Sequence, residues 1–303
     1  MLIDSKHIPP ALKSLELPFP PKIFSLLSGF YNSQNRGSGI EFSELREYVI
    51  GDEVRSIDWK ASARGHATFV KTYIDLRNQD VIFAIDGSSS MVMGGINDTQ
   101  SPLFIGGSLI GLIMRLALNR GDRVGFISSQ DDSVVRSQTT GQSTKALGMY
   151  SQQYAAIATA QYQILHWADF LKKVRLNVHR HSLIVFISDD FEVDDAILQQ
   201  HRLLRASGHR LWCMRVRGKT MNPDAVLQNY NTTDIETGEL TDWAVLDRRV
   251  MAEYEQTETQ RSAQIDAQLR AVGVEVATLA DRKGAIPLVA HILQRYKRNK
   301  NKT

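Results

Sequence analysis

Two short apolar runs stand out along the chain. Residues 81–85 (VIFAI) end at Asp86, and residues 183–187 (LIVFI) end at Ser188 and Asp189. Uninterrupted apolar runs of this length are typical of strands that are buried on both faces, as in a parallel sheet covered by helices. We therefore expect both runs to be central strands of one sheet.

Helical periodicity separates these strands. Apolar residues recur at the spacing of one helix face over 103–119, and the pattern stops before Gly121. Further predicted helices cover about 144–178, 195–206, 246–271 and 286–296, and further predicted strands cover 124–128, 133–136, 210–216 and 274–279. Strands that alternate with long helices indicate a mostly parallel sheet with helices on both faces. The sequence predicts an α/β fold with a Rossmann-like sheet over residues 78–303, after an N-terminal extension over residues 1–77.

The N-terminal extension has two parts. Residues 1–35 contain five prolines, which interrupt any continuous helix and predict an arm along the surface. From Gly37 to Gly65 the sequence is dense in charged and aromatic residues. We expect this polar segment to precede the first strand of the protein, at 81–85.

Composition limits the classes of function. Hydrophobic residues make up 43% of the 303 residues, which is enough for a substantial core. The formal net charge is only +3, and basic residues crowd the C-terminal tail, so we expect no nucleic-acid partner. The first residues lack the pattern of a secretory signal, and the apolar stretches are too short or too interrupted to cross a bilayer. We therefore expect a cytoplasmic protein that meets a membrane only through its partners.

Motifs of common enzyme classes do not occur in the sequence. It has no Gly-x-Ser-x-Gly elbow and no Gly-x-x-x-x-Gly-Lys phosphate loop, so acyl transfer and nucleotide hydrolysis lack their usual residues. Four histidines, His179, His181, His201 and His209, lack an accompanying zinc motif, and we expect them on the surface. The sequence therefore predicts a protein that is not an enzyme.

The ends of the two apolar runs carry the candidate chemistry. Asp86, Ser88 and Ser90 follow the first run at alternate positions, and Asp189 follows the second. Ligands of open α/β sheets bind at the carboxyl ends of the strands, and hard oxygen donors suit Mg²⁺ or Mn²⁺. The alternative is ordinary turn chemistry, with Ser90 as a helix N-cap. The position after two buried strands favours a metal site.

Two segments resemble known families. Asp86-x-Ser88-x-Ser90 with the later Asp189 resembles the metal-ion-dependent adhesion site of von Willebrand factor A domains. Upstream, residues 46–64 (REYVIGDEVRSIDWKASAR) resemble the signature of the bacterial domain-of-unknown-function family fifty-eight, which carries it just before such an A domain. The resemblance covers roughly residues 35–216 well and the C-terminal part loosely.

The resemblance implies a site and a role. Asp86, Ser88, Ser90 and Asp189 would be the metal ligands, together with a threonine that the A-domain pattern places in Thr-Asp. Between Ser90 and Asp189 this chain lacks that pair, so Thr159 is taken as the ligand, with Thr139 and Thr140 as competing candidates. The implied function is a non-catalytic adaptor that binds a partner's Asp or Glu through Mg²⁺ or Mn²⁺. It would work with a MoxR-type AAA+ ATPase in assembling or maturing protein complexes.

The upstream signature has two interpretations. Its alternating arginines and acidic residues predict a paired charge network, with Tyr48 and Trp59 packed beneath it. This network either latches the N-terminal arm to the A domain or presents a binding surface, and the latch is favoured because buried charges are usually paired.

Two rival functions stay open. The first is a metal-dependent hydrolase, which needs a general base near Asp86 and Asp189. The second is a nucleic-acid-binding protein that uses the basic C-terminal tail. Neither accounts for the signature.

Overall fold

The computed structural model describes residues 36–37, 41–49, 52–65, 67–74, 79–92, 99–130, 133–159, 165–189, 191–217, 231–233, 240–242 and 248–300. The chain divides into two compact units. The larger unit covers Gln79–Ile292, and the smaller unit comprises the described residues of Pro18–Asn78 and the end of the C-terminal helix. The predicted arm over residues 1–35 lies outside the described residues.

The smaller unit contains a three-stranded antiparallel sheet. Its strands are β1 (Arg36–Gly37), β2 (Glu41–Glu47) and β3 (Phe69–Ile74), in the order β1-β3-β2, and the short helix α1 (Trp59–Ser62) precedes β3. The expectation that 81–85 would be the first strand is wrong. The segment EFSELRE of β2 has no apolar run, because a strand of a small antiparallel sheet is not buried on both faces.

A six-stranded sheet forms the centre of the larger unit. Its strands are β4 (Asp80–Ile85), β5 (Arg123–Gln130), β6 (Ser133–Arg136), β7 (Ser182–Ser188), β8 (Arg210–Val216) and, after the hairpin of β9 (Asn231–Thr233) and β10 (Leu240–Asp242), β11 (Glu275–Leu279). The order is β11-β8-β7-β4-β5-β6, with β6 antiparallel to β5 and the other neighbours parallel. The prediction of a mostly parallel sheet flanked by helices is confirmed.

The helices of this unit mostly follow the predicted ranges. They are α2 (Pro102–Asn119), α3 (Ser143–Thr159), α4 (Trp167–Asn177), α5 (Asp195–Ala206), α6 (Arg248–Ala271) and α7 (Ala285–Lys300). The single helical region expected over 144–178 is wrong. His166 has an extended backbone (φ −83°, ψ 95°), and a new helix begins at Trp167. Residues 160–164 lie outside the described residues.

Strand β4 is buried on both faces of the sheet. Ile82 and Ala84 belong to an apolar cluster with Trp167 and other residues of α4 and α5. Phe83 stacks on Phe126 with 5.5 Å between the ring centroids. Burial of a side chain of this size stabilises the fold by about 1.5–3 kcal/mol. The core therefore fixes the end of β4, where Asp86 begins the candidate site.

Helix α2 packs closely against the sheet. The Ser101 hydroxyl accepts a hydrogen bond from the backbone N–H of Phe104 at 3.2 Å and caps the helix. A Cβ at Gly106 would lie 2.8 Å from a methyl carbon of Ile187, so glycine permits the close approach. Of the helices in the described part of the chain, α2 alone is long and apolar enough to span a membrane by length and composition, but 83% of it is buried inside the protein, as in a core helix.

Two of the four histidines expected on the surface are buried. His201 is 1% exposed and His209 is 4% exposed, whereas His179 and His181 are exposed. His201 lies between Ile197 and Leu204 on the inner face of α5, and burial lowers its pKa to about 4. His201 follows Ile197 by four residues and precedes Leu204 by three, which places the three residues on one face of a helix. This spacing is the signal that the sequence interpretation missed.

Candidate metal and partner-binding site

The register of three strands brings the candidate residues together. Ile85 of β4 pairs with Ser128 of β5 and with Ile187 of β7. The residues that follow these three, Asp86, Ser129 and Ser188, are therefore neighbours at the carboxyl edge of the sheet. The chain passes from β4 to β5 on one side and resumes at β7 on the other, which makes this edge a topological switch point.

Asp86 is a buried carboxylate with neutral hydrogen-bond donors. Its side chain accepts bonds from the backbone N–H of Ser88 at 2.7 Å and from the hydroxyl of Ser188 at 2.6 Å. The residue is 1% exposed, and burial raises its pKa, opposed by the bonds from Ser188 and Ser88. Within the described residues, no Lys or Arg forms an ion pair with this carboxylate. Its ionised form therefore lacks a counter-charge there.

The turn after β4 aligns two hydroxyls beside this carboxylate. Ser88 Oγ lies 3.0 Å from Ser90 Oγ. The N–H of Gly87 donates to Ser129 Oγ at 2.8 Å, and a Cβ at Gly87 would lie 2.2 Å from the Ser129 carbonyl oxygen. Only glycine fits this approach between the turn and β5. The turn is thus held in place by packing and by backbone bonds.

A cavity of about 670 Å³ opens beside Asp86 and Ser88. Its apolar wall includes Trp167 and Phe191, whose ring centroids are 4.4 Å apart. The charged and titratable groups of its lining, besides Asp86, are His166, Asp169, Glu192, Asp194 and Arg261. The cavity is therefore acidic, with an aromatic wall, and it is large enough for the side chains of a peptide segment.

The structure brings three of the five predicted metal ligands into one cluster. Asp86, Ser88 and Ser90 are linked by the hydrogen bonds described above. Asp189 directly follows Ser188 at the end of β7 and is half-buried. Thr159 ends helix α3, is exposed, and donates its hydroxyl to the carbonyls of Ala155 and Ala156 at 2.9 and 3.2 Å. The described contacts use this hydroxyl within its own helix, and its role as a ligand stays a prediction.

The competing threonines lie at the other end of the sheet. Thr140 forms a bridge with Val124, which pairs with Val81 near the start of β4. Five residues of strand, about 16 Å, separate Val81 from Asp86. A Cβ at Gly125, which pairs with Ile82, would lie 3.0 Å from the Thr139 methyl carbon. Thr139 and Thr140 are therefore wrong as candidates for the site at Asp86.

The donor set at Asp86 fits a hard divalent cation. Within the described residues no group of three His, Cys, Asp or Glu side chains could hold a metal ion. The strand-end site instead combines one buried carboxylate with the serine hydroxyls. Oxygen donors of this kind suit Mg²⁺ or Mn²⁺, and a cation would neutralise the buried charge.

Several residues at the site escaped the sequence interpretation. Ser188 was treated as a strand end, yet it donates to Asp86, and Ser129 was not considered. Both follow from the strand register, which places these residues near the ends of β5 and β7 level with Asp86. His166, Trp167 and Phe191 line the cavity because α4 and the β7–α5 loop meet there, and no sequence motif marks that meeting.

The upstream signature is a structural element of the smaller unit. Arg46 donates two bonds to the Asp52 carboxylate, at 2.7 and 2.6 Å, and the backbone N–H of Val49 donates a third at 2.9 Å. These bonds, that from Arg46 above all, lower the pKa of Asp52 to about 2. Asp58 caps α1 by accepting from the backbone N–H groups of residues 60 and 61, and it pairs with Lys71 of β3 at 3.3 Å. The predicted pairing of arginines with acidic residues of the signature is confirmed for Arg46 and Asp52, whereas Asp58 pairs with a lysine outside the signature.

Trp59 does not pack beneath this network. Its side chain is 66% exposed, and Arg55 and Arg64 are exposed as well. Helix α1 has a single turn, and Ser62 fixes it to the sheet by accepting from the backbone N–H of Phe69 at 2.8 Å. A helix of one turn has no second turn to cover a large side chain, so the expectation for Trp59 is wrong.

Comparison with known proteins gives the family. The profile of the family described as "Protein of unknown function DUF58" matches residues 44–264, and the chain belongs to this family. A stretch of 134 residues is 28% identical to the uncharacterized protein Rv1480 of Mycobacterium tuberculosis and to the uncharacterized protein Mb1516 of Mycobacterium bovis. This stretch covers 44% of the chain and 42% of either relative, so the chain spans less than half the length of the curated relatives it matches.

Two solved structures are similar over most of the chain. One is the conserved hypothetical protein BatB from Bacteroides thetaiotaomicron, at 14% identity and a TM-score of 0.40, with 73% of this chain and 100% of that chain covered. The other is an aerotolerance-related membrane protein from Bacteroides fragilis, at 13% identity and a TM-score of 0.41, with 75% and 100% covered.

Proposed function

We propose that this protein is a non-catalytic, metal-dependent protein-binding adaptor with a von Willebrand factor A-like larger unit. Asp86, Ser88 and Ser90 would hold Mg²⁺ or Mn²⁺, with Asp189 on the neighbouring strand as a further ligand. The bound cation would offer an open position to an Asp or Glu of a partner. The observation that carries this proposal is the buried Asp86 carboxylate, which receives only neutral donors among the described residues and faces a cavity.

The chain's own residues prepare the site for this role. Ser188 and the backbone of Ser88 orient the carboxylate before any cation arrives, and Gly87 keeps the turn against β5. Because Asp86 is shielded from water, the attraction between its charge and a cation is stronger than at an exposed carboxylate. The acidic lining of the cavity adds to the attraction for a cation.

Calorimetric titration with Mg²⁺ and with Mn²⁺ tests the metal site. We expect the wild type to bind, Asp86→Ala to lose binding below detection, and Ser88→Ala and Ser90→Ala to weaken it. Asp80→Asn is the matched control, because Asp80 is a buried carboxylate at the opposite end of β4 that is neutralised by Arg123 at 2.8 Å. Absence of binding to the wild type, or equal loss in Asp80→Asn with the fold intact, would contradict the proposal.

The partner is the second part of the proposal. By its family resemblance the chain would act in the cytoplasm with a MoxR-type AAA+ ATPase, in the assembly or maturation of protein complexes, and would reach a membrane only through partners. Binding of a purified MoxR-type ATPase to the full chain should require Mg²⁺ and Asp86. Binding that persists in a chelator and in Asp86→Ala would place the contact elsewhere.

One observation favours a second candidate, a metal-dependent hydrolase. His166, a possible general base, lines the same cavity as Asp86 and is exposed. A hydrolase of this kind predicts turnover of ester or phosphoester substrates that is lost in both Asp86→Ala and His166→Gln. The adaptor proposal predicts that His166→Gln leaves metal binding unchanged. It also predicts that neither the wild type nor this variant turns over such substrates.

A further inference from the structure

The charge of the cavity is unbalanced in a way that bears on the partner. Among the described residues, four lining carboxylates, those of Asp86, Asp169, Glu192 and Asp194, share the cavity with one arginine, Arg261. That arginine is already engaged with acidic residues, at 3.2 Å from Glu258 and 4.0 Å from Glu192. A divalent cation at Asp86 would offset two negative charges and leave the lining acidic. A partner segment whose only charge is a carboxylate would then be repelled by the negative charge that remains on the cavity lining.

The three acidic groups away from Asp86 are placed at the rim. Asp169 lies on the exposed side of the first turn of α4, Glu192 is in the loop after β7, and Asp194 caps α5. The Glu192 side chain is 92% exposed. The rings of Trp167 and Phe191 line the same cavity and are buried, in contrast to the exposed acidic groups. Buried aromatic rings together with exposed carboxylates suit the aliphatic stem and charged head of a lysine or arginine.

We propose that this cavity selects partner segments in which the acidic residue is flanked by Lys or Arg. The acidic side chain would reach toward Asp86, and the neighbouring cationic side chain would lie along Trp167 and Phe191 with its head among Asp169, Glu192 and Asp194. This inference rests on the proposed carboxylate binding at Asp86 and adds the chemistry of the residue beside it.

Fluorescence anisotropy with short labelled peptides tests the selection. The probes carry one central Asp next to Lys, Gln or Glu and are titrated with the full chain in Mg²⁺ buffer. We expect the affinity to fall in that order. Each rim carboxylate should contribute a factor of about two to five, and the preference should weaken at high salt because the rim is exposed.

The rim variant combines Asp169→Asn, Glu192→Gln and Asp194→Asn. Asparagine preserves the helix cap at position 194. The variant should lose most of the preference for the Lys peptide over the Gln peptide, because only the contact of the lysine stem with Trp167 and Phe191 is left. The matched control is Asp195→Asn, an exposed acid on the same helix that does not line the cavity, and it should keep the preference.

The outcomes separate this inference from the proposed function. Equal Mg²⁺-dependent binding of all three peptides overturns the inference and leaves the adaptor proposal standing. A preference for the Lys peptide that survives in Asp86→Ala and in a chelator overturns the adaptor proposal, while the selection by the rim stands. If no peptide binds to the wild type, both are contradicted.

Discussion

Asp52 and Asp86 each accept a hydrogen bond from a backbone N–H group nearby in the chain, yet they differ in burial and in their side-chain partners. Asp52, in the signature segment, receives two bonds from Arg46, which lower its pKa to about 2. Asp86, at the end of β4, is buried among neutral donors, and burial raises its pKa. The charge of Asp52 is paired with that of Arg46 within the smaller unit. The charge of Asp86 is oriented but not neutralised by the described residues, which is the state expected of a ligand-binding carboxylate.

The largest expected effect comes from a substitution that disturbs the turn after β4, which holds Asp86 in place. Gly87→Ala would place a Cβ 2.2 Å from the carbonyl oxygen of Ser129, so the turn or β5 must shift. We expect a loss of about 3 kcal/mol in the free energy of unfolding, together with loss of metal binding. Denaturant unfolding followed by circular dichroism measures the first effect.

Gly106→Ala is the matched control for this change. Its Cβ would meet side-chain methyl carbons of Ile187 and Val216, at 2.8 and 3.4 Å, rather than backbone, and alanine gains about 1 kcal/mol in helix propensity. Equal destabilisation by the two substitutions would show that the turn at Gly87 is not specially constrained.

Neutralising the buried carboxylate comes next in size. Because the folded-state pKa of Asp86 is raised above 3.8, the folded state holds this proton more strongly than the unfolded state. This contribution to stability is complete below the unfolded pKa and is lost as the pH rises through the folded pKa. In a chelator, the stability of Asp86→Asn should gain on the wild type by up to about 1.4 kcal/mol per pH unit over that interval.

Added Mg²⁺ should narrow the gap at neutral pH by stabilising only the wild type. Urea titrations from acid to neutral pH, with and without the cation, measure both effects. Parallel curves for the two proteins in the chelator would mean that the Asp86 charge is already compensated.

Ser188→Ala has a smaller expected effect. It removes a donor at 2.6 Å from Asp86 and should cost about 1–2 kcal/mol above the folded-state pKa of Asp86, where the carboxyl is ionised, and less below it. Ser182→Ala, at the other end of β7, removes a bond to the carbonyl of Arg180 at 2.6 Å and should show no such pH dependence. The free energies of unfolding of both variants are measured by denaturant titration over a range of pH. Similar pH profiles for Ser188→Ala and Ser182→Ala would argue against a charged Asp86.

The smallest expected effect is the one that the bonds from Arg46 to Asp52, in the smaller unit, have on stability at acid pH. The depressed pKa of Asp52 contributes stability that is present above the unfolded value of 3.8 and is lost as the pH falls toward 2. The ¹³C signal of the Asp52 carboxyl group should therefore titrate near pH 2, and Arg46→Gln should move its midpoint upward. Little change in the midpoint would show that the bonds from Arg46 do not persist in solution.

The two regions also differ in what the sequence could predict. Apolar runs identified β4 and β7, since strands buried on both faces need such runs, and the position of Asp86 followed directly. The smaller unit gave no such signal, because four of the seven residues of β2 are charged. The metal motif predicted the cluster of Asp86, Ser88 and Ser90 because these residues share one turn.

The sequence alone could not predict contacts between segments that are far apart in the chain. Thr139 and Thr140 were plausible by residue type alone, and only the register of β4 with β5 shows that they lie at the far end of the sheet. The cavity wall of Trp167 and Phe191 likewise depends on how α4 packs against the β7–α5 loop. Trp59 was expected to pack beneath the charge network of the signature, but it lies on a one-turn helix and is exposed.

The hydrogen bond between Ser188 and Asp86 joins residues 102 positions apart in the chain. At about 5–20 residues per second, a ribosome needs roughly 5–20 s to add the intervening segment. During that interval a nascent chain carries the acidic turn without the strand that completes it. The site proposed to bind a cation and a partner would therefore be complete only after β7 has been synthesised and has paired with β4.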